Sequence, residues 1–472
     1  MLTRRQQFTL FLIVTSFILL LYNTRGSEVI ERAYSPWRSY PPSRLTGNFP
    51  LLQEKSQQIP ILETTLSGNL APVTGFTMFD RLYVKNGTIF VVSSIPAVFP
   101  DPKLILARPL DVGHGDSVDP TPKELQVVTP EQAKFMLDNR ATVIGGMSFI
   151  LYDTAQFMGH YYHWWGELIL GAMRVYSSLA LVPEIETPLP TPARFLLPNI
   201  MNHDWRDPAG VNGPLMRAAF PEASIERMDL WEDIIDLNST FVFERAMIVS
   251  RPAAHRHPLA SVWYKMISST MNATVPPFFW EPLRKRLITN TIGYVPVLNN
   301  AGVVVSPPNS LAPVVTYVSR QNHGRSLLPS DHEKLVEALR GLEEEGICVV
   351  NVVAMETMTF TDQIETAARS TIMLGIHGNG LTHQLWMPSG PRSTVIEIYF
   401  PKAYAHDYEI LARNMGHKHY AVWNDTTLTY PAGQWYHGVE WGNRTDFNGF
   451  SIPVHGPTVA AVIRERLTEP LP

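Results

Sequence analysis

The chain has 472 residues, 45% hydrophobic and 17% charged. That is long enough for two or three cores of ordinary size and too apolar for a disordered chain. Its 38 Lys and Arg against 43 Asp and Glu leave a net charge of −5, which excludes the overall basic field that gathers nucleic-acid phosphates. No nucleic-acid partner is expected, and any smaller polyanion must be gripped locally. Cys348 is the single cysteine, so an intrachain disulfide framework is excluded.

Residues Phe8 to Tyr22 carry no charge and follow Arg4 and Arg5. As a helix the segment spans about 22 Å, between a signal-peptide apolar core and a membrane span. No A-x-A-like cleavage site follows, which reads as an uncleaved anchor. The charge ahead of it outweighs the mixed charge behind, so the N-terminus is expected in the cytosol and the body in the lumen. Residues 1–7 are then a cytosolic tail, 8–22 a transmembrane anchor, and 23–72, rich in Pro, Ser and Gln, a stem. Five N-x-S/T triplets, at Asn86, Asn238, Asn272, Asn424 and Asn443, fit a lumenal body. About three would arise by chance from this composition, so the support is modest.

Two domains are expected after the stem, over 73–290 and 291–472, with a proline- and asparagine-rich stretch from Pro276 to Pro308 between them. In the first, Thr88 to Val92 and Phe241 to Val249 read as strands, and a helix begins near His163. The second is clearer. A strand over Val314 to Ser319 leads to a helix opened by a capping box of Ser330 and Glu333 and closed by Gly346. A wholly apolar strand, Ile347 to Val353, a helix from about Asp362 to Arg369, and strands Thr371 to Ile376 and Thr394 to Tyr399 follow. Strands and helices alternating at this spacing define a doubly wound α/β domain, whose ligands lie beyond the carboxyl ends of the strands.

The candidate chemistry sits at those ends. His377-Gly378-Asn379-Gly380-Leu381-Thr382-His383 lies where a strand gives way to a helix, a place where glycines admit close approach and helix N–H groups receive a phosphate. The alternative is a tight turn with a left-handed asparagine. The glycines read G-x-x-G-x-G, not the dinucleotide fingerprint, and no G-x-S-x-G elbow exists for a hydrolase. Arg320 and Arg325 follow the first strand of the domain and open on the same sheet edge, so they converge on a diphosphate or form a solvated loop. Glu397 is a carboxylate inside an apolar strand and needs a partner, whether ribose hydroxyls, a cation or an arginine. In the first domain His160, His163 and Glu167 share a helix face, the arrangement of a general base with its carboxylate, or of an aromatic helix packed in a core. There is no H-E-x-x-H, D-x-D or cysteine pair, so no metal site and no obligatory metal are expected; the pairs His255/His257 and His417/His419 read as surface or packing residues.

Gly375 to His383 with Trp386-Met387-Pro388 and Val395 to Ile398, together with Ser319-Arg320, Arg325 to Leu328, and Tyr162-His163-Trp164, Glu167 and Arg174, resembles the signature blocks of glycosyltransferase family 61. The resemblance spans about Gly159 to Phe400, with Asn379 in place of the usual alanine and His383 in place of the usual asparagine. It implies a GT-B type fold, two Rossmann-like domains facing a cleft after an N-terminal anchor, in a single-pass type II protein of the Golgi or ER membrane. It also implies an inverting transferase that moves xylose, N-acetylglucosamine or arabinose from a UDP-sugar to a glycan or protein hydroxyl. The residues then take roles: His163 as catalytic base with Glu167 in reserve, and Arg320, Arg325, His377, Gly378, Asn379, Gly380, Leu381, Thr382 and Glu397 around the donor. A catalytically inactive nucleotide-sugar-binding or lectin-like scaffold is the alternative, supported by the altered Asn379 and His383.

Overall fold

The computed structural model describes residues 58–322, 324–437 and 450–470. The expected cytosolic tail, the anchor, residues 23–57 of the stem, and Asn443 lie outside the described residues. Among the described residues no helix is long and apolar enough to cross a membrane.

Two sheets organise the chain. The first has nine strands: β1 (Gln58–Pro60), β2 (Thr65–Leu66), β3 (Phe76–Lys85), β4 (Thr88–Val92), β5 (Leu125–Val128), β6 (Arg140–Leu151), β7 (Arg194–Leu196), β8 (Ser224–Glu226) and β9 (Phe241–Val249). Its main path runs β5-β4-β3-β9-β6-β7-β8, while β1 pairs with β6 and β2 with β3. The last two belong to the C-terminal part of the stretch read as a stem. This half is only partly parallel, unlike a Rossmann sheet: β9, β6, β7 and β8 run parallel, but β3 is antiparallel to both β4 and β9. For β4 the cause is local. Asn86 and Gly87, both at positive φ (51° and 77°), form a two-residue turn that folds β4 back on β3.

Across the face of this sheet lies a π-helix, Tyr162–Ile169, continued by α1 (Leu170–Ser177). Trp164, Trp165 and Leu168 are fully buried there. The stretch Pro276 to Pro308 contains α2 (Glu281–Ile292), started by a proline in its first turn and stopped by Gly293 at φ 83°.

The second sheet has six strands: β10 (Val314–Val318), β11 (Val349–Val353), β12 (Ile372–Ile376), β13 (Thr394–Ile398), β14 (Lys418–Trp423) and β15 (Thr426–Leu428). Strands β11-β10-β12-β13-β14 are parallel and β15 closes the edge antiparallel. Helices α3 (Pro329–Glu344) and α4 (Phe360–Arg369) are its crossovers, and α5 (Asp407–Met415) and α6 (Gly456–Thr468) complete the layers. The expected capping box on Ser330 is replaced. The helix starts at Pro329, with Leu328 as the cap residue and no side-chain cap, because proline's fixed φ already suits the first turn.

The chain order of the parallel strands reverses between β10 and β12, so the switch point of the sheet falls at their carboxyl ends. One hydrophobic core joins the two halves. It runs from Phe76 and Phe149 on the first sheet through Trp164 and Trp165 to Leu385 and Trp386, which precede β13, and Leu411 of α5.

Candidate functional site

Strand β10 ends at Val318 and delivers Arg320 and Arg325; β12 ends at Ile376 and delivers His377 and Gly378. Gly378 has φ 152° and ψ 176°, a backbone state that side-chain-bearing residues avoid. A Cβ there would overlap Arg320 Nη1 and sit 3.3 Å from Arg325 Nη1, so both guanidinium groups lie against this one residue. Arg325 Nη1 also donates to the His377 carbonyl at 2.9 Å. Burial, aided by the like charge of Arg320, depresses the Arg325 guanidinium below the usual arginine range. From Gly378 a 3₁₀ helix runs over Asn379–Trp386, tight on β10 because a Cβ at Gly380 would come within 2.7 Å of Val318. Leu381 and Thr382 in it are buried.

Glu397 was expected to meet ribose, a cation or an arginine. It is fully buried, and its two oxygens take His377 Nδ1 on one side and His419 Nε2, at 2.7 Å, on the other. Burial works against its charge, but the two histidine hydrogen bonds outweigh it and hold the carboxyl below its usual range. His419 therefore packs as expected, but as the second arm of this carboxylate. His377 in turn stacks on Tyr399 with ring centroids 5.5 Å apart, and its edge meets Tyr408 at 5.2 Å.

On the first-half side, the π-helix brings His163 Nδ1 to 2.5 Å from Glu167 Oε2. Glu167 is fully buried and its second partner is Arg251, whose Nη1 donates to the same oxygen at 2.6 Å while its Nε donates to Asp153 at 3.1 Å. The Met266 amide binds the other Glu167 oxygen at 2.9 Å. Burial opposes ionisation of Glu167, yet the charges of Arg251 and His163 more than reverse it, leaving the carboxyl well below its ordinary value. His163 is half-buried, and the exposed His160 lies with its ring 4.8 Å away. Arg174 is not part of this cluster; it ties the carbonyls of Thr270 and Ala273 to Asn414.

The two clusters meet. The His163 ring is 5.3 Å from that of Tyr162, Tyr162 is 5.4 Å from Tyr408, and Tyr408 edges onto His377. Lys265 Nζ pairs with Asp407 at 3.0 Å beside this path. The Tyr162 amide donates to Asn379 Oδ1 at 3.0 Å, a direct tie from the π-helix to the glycine loop. His383 bridges the Gly380 carbonyl and Gln363 and is wholly buried, which pulls its pKa down to about 4. Among the described residues no group of three or more His, Cys, Asp or Glu is arranged to hold a metal ion. Sequence reasoning missed Arg251, Asp153 and Lys265, and weighed Asp407 only as part of a weak metal-ligand triplet, Asp407-Tyr408-Glu409. The one available signal is Arg251, a charge two residues past the apolar strand β9.

Fold and site together define an α/β protein with two cations and a glycine loop at the switch point of a doubly wound sheet, faced by a carboxylate-backed histidine. Residues 161–396, half of the chain, match the family Glycosyltransferase 61. The chain belongs to that glycosyltransferase family. It is also similar to proteins named EGF domain-specific O-linked N-acetylglucosamine transferase. The one from Drosophila melanogaster is 30% identical over 158 residues, which cover 34% of this chain and 28% of the relative. Those from Mus musculus and Xenopus laevis are 29% and 28% identical over 158 residues, 34% of this chain, and cover 28% and 29% of the relatives. The chain thus spans less than a third of the length of these curated relatives.

Proposed function

We propose that the protein is an inverting glycosyltransferase that moves a sugar from a UDP-sugar to a glycan or protein hydroxyl in the secretory pathway. The names of its relatives favour N-acetylglucosamine among the donors, ahead of xylose and arabinose, and a protein hydroxyl as acceptor. The carrying observation is that Arg320 and Arg325 converge on Gly378 at the sheet's switch point while the His163–Glu167 pair lies close by across the joined halves.

In this reading the diphosphate rests on the backbone from Gly378 to Thr382, the Asn379 side chain being turned to the Tyr162 amide, and on the two arginines, whose charge stabilises the leaving UDP without an obligatory metal ion. Glu167, held ionised, accepts from His163 Nδ1–H and leaves Nε2 to take a proton. The acceptor hydroxyl gives its proton to Nε2 and its oxygen attacks the anomeric carbon. The bond from that carbon to the UDP oxygen breaks, and its electron pair departs with UDP, inverting the centre. His377, braced by Glu397, lines the donor side. The overall arrangement is then of the GT-B type, with domains over 73–290 and 291–472, carried on a stem by a type II anchor at residues 8–22 in the Golgi or ER membrane.

Steady-state kinetics with UDP binding measured alongside tests the roles. His163→Ala is expected to lower kcat by about 10²- to 10⁴-fold, the range for a lost general base, with UDP affinity retained. Arg320→Ala and Arg325→Ala are expected to weaken UDP binding. Unchanged kinetics in Arg320→Ala and His377→Ala would remove the donor site from this edge, and a normal rate in His163→Ala would move the base elsewhere.

A further inference from the structure

The π-helix that carries His163 and Glu167 begins at Tyr162, and the amide N–H of Tyr162 belongs to a helix start, where donors lack a partner within the helix. Its partner comes from 217 residues away, the Asn379 side-chain oxygen at 3.0 Å. The next contacts run the same way. Trp386 Nε1, at the far end of the 3₁₀ helix, donates to Tyr161 Oη at 2.8 Å, His383 meets the Tyr161 ring at 5.1 Å, and Trp165 meets Trp386 at 5.2 Å. Asn379 is therefore already engaged on the base-bearing helix, one residue past the glycine that touches both arginines. An eight-residue π-helix is an uncommon state, and π turns are frequent at functional sites. Rewound to an α-helix it would still carry His163 and Glu167, four residues apart, on one face, but that face would be turned about the helix axis relative to the donor loop.

We propose that Asn379 is a positioning residue that acts through His163. It caps the π-helix from the donor loop, fixes the turn of the helix that aims the His163–Glu167 pair, and ties that aim to the loop that receives the donor. This rests on the reading of His163 as the base, and the experiment separates the two. Alanine lacks the side-chain oxygen, so Asn379→Ala removes the tie.

Wild type, Asn379→Ala, His163→Ala and the double variant are compared in the full chain, with UDP-N-acetylglucosamine turnover for kcat and KM, UDP titration calorimetry for binding, and thermal melting for folding. A lost hydrogen bond of ordinary strength corresponds to about tenfold, so kcat is expected to fall by about tenfold in Asn379→Ala while UDP affinity stays within about twofold. In the His163→Ala background the same change is expected to cost nothing further. If Asn379→Ala weakens UDP binding and spares kcat, Asn379 is a donor contact and the proposal fails. An additive loss in the double variant also overturns it. If wild type turns over and His163→Ala is unaffected, the base assignment fails first, whatever Asn379 does.

Discussion

Replacing Gly378 by alanine tests the donor site through its most constrained residue. At φ 152° the backbone is open to glycine alone, and forcing alanine into it stores strain of about 1–3 kcal/mol. The new methyl group also occupies the place of Arg320 Nη1 and presses toward Arg325, 3.3 Å away. Arg320 can swing aside because the clash is at the end of a flexible side chain, so the fold survives, with a melting temperature lower by a few degrees. The anion site does not survive intact. Losing one charged hydrogen bond to a phosphate removes about 1.5–3 kcal/mol, so UDP is expected to bind roughly 10- to 100-fold more weakly. Gly341→Ala is the control: it lies inside α3 with nothing within 4 Å of the added carbon, and helix propensity makes it neutral or slightly stabilising. Calorimetric titration of UDP into the three proteins, with melting curves, decides the matter. Wild-type affinity in Gly378→Ala, or an equal loss in Gly341→Ala, would refute the reasoning.

Other predictions concern what holds the site. Arg251→Met strands Glu167 and Asp153 as buried acids and should lower unfolding stability by about 3–5 kcal/mol in urea titrations; a variant as stable as wild type would show that these ion pairs brace nothing. His383 and His417 are buried with pKa near 4 against 6.5 unfolded. Between pH 6.5 and 4 the unfolded chain binds protons that the native state refuses, so stability falls as pH falls through that window, by about 1 kcal/mol per histidine at pH 5.5. Melting curves at pH 7.5 and 5.5 check this, and His383→Gln should flatten the difference. Asn86, Asn238, Asn272 and Asn424 are all exposed; if the body is lumenal, protein from the secretory pathway of cultured cells should shift on PNGase F treatment, and no shift would count against that topology. Turnover is expected to persist in EDTA, and its abolition with rescue by a divalent ion would overturn the metal-independent scheme.

The half of the fold with short-range signals was readable. Strands β10 to β13 are apolar runs set between helices with identifiable ends, and their limits fall within two residues of the expected ones, as do those of β4 and β9. The reversal between β3 and β4 is also written locally, in Asn86-Gly87, whereas the antiparallel pairing of β3 with β9 is long-range and leaves no such mark. Helix α2 stayed hidden because Glu281–Ile292 is mostly polar and carries a proline in its first turn, which blends with the proline-rich stretch around it. At the site, the residues in motif blocks could be named from spacing, whereas their supports could not. Arg251 reaches Glu167 across 84 positions and Lys265 reaches Asp407 from another element, and no periodicity reports such pairings. Glu397 shows the remaining limit. Burial in an apolar strand demanded a partner, and only the register of β13 beside β14 places His419 within reach of it.

The central claim is that the switch-point loop receives a nucleotide-sugar diphosphate for group transfer. The direct test is a screen of the protein for thermal shift and donor hydrolysis against UDP-N-acetylglucosamine, UDP-xylose, UDP-arabinofuranose and GDP-mannose. The account predicts stabilisation and slow release of UDP with at least one UDP-sugar and neither effect with GDP-mannose. No shift and no turnover with any UDP-sugar would contradict it.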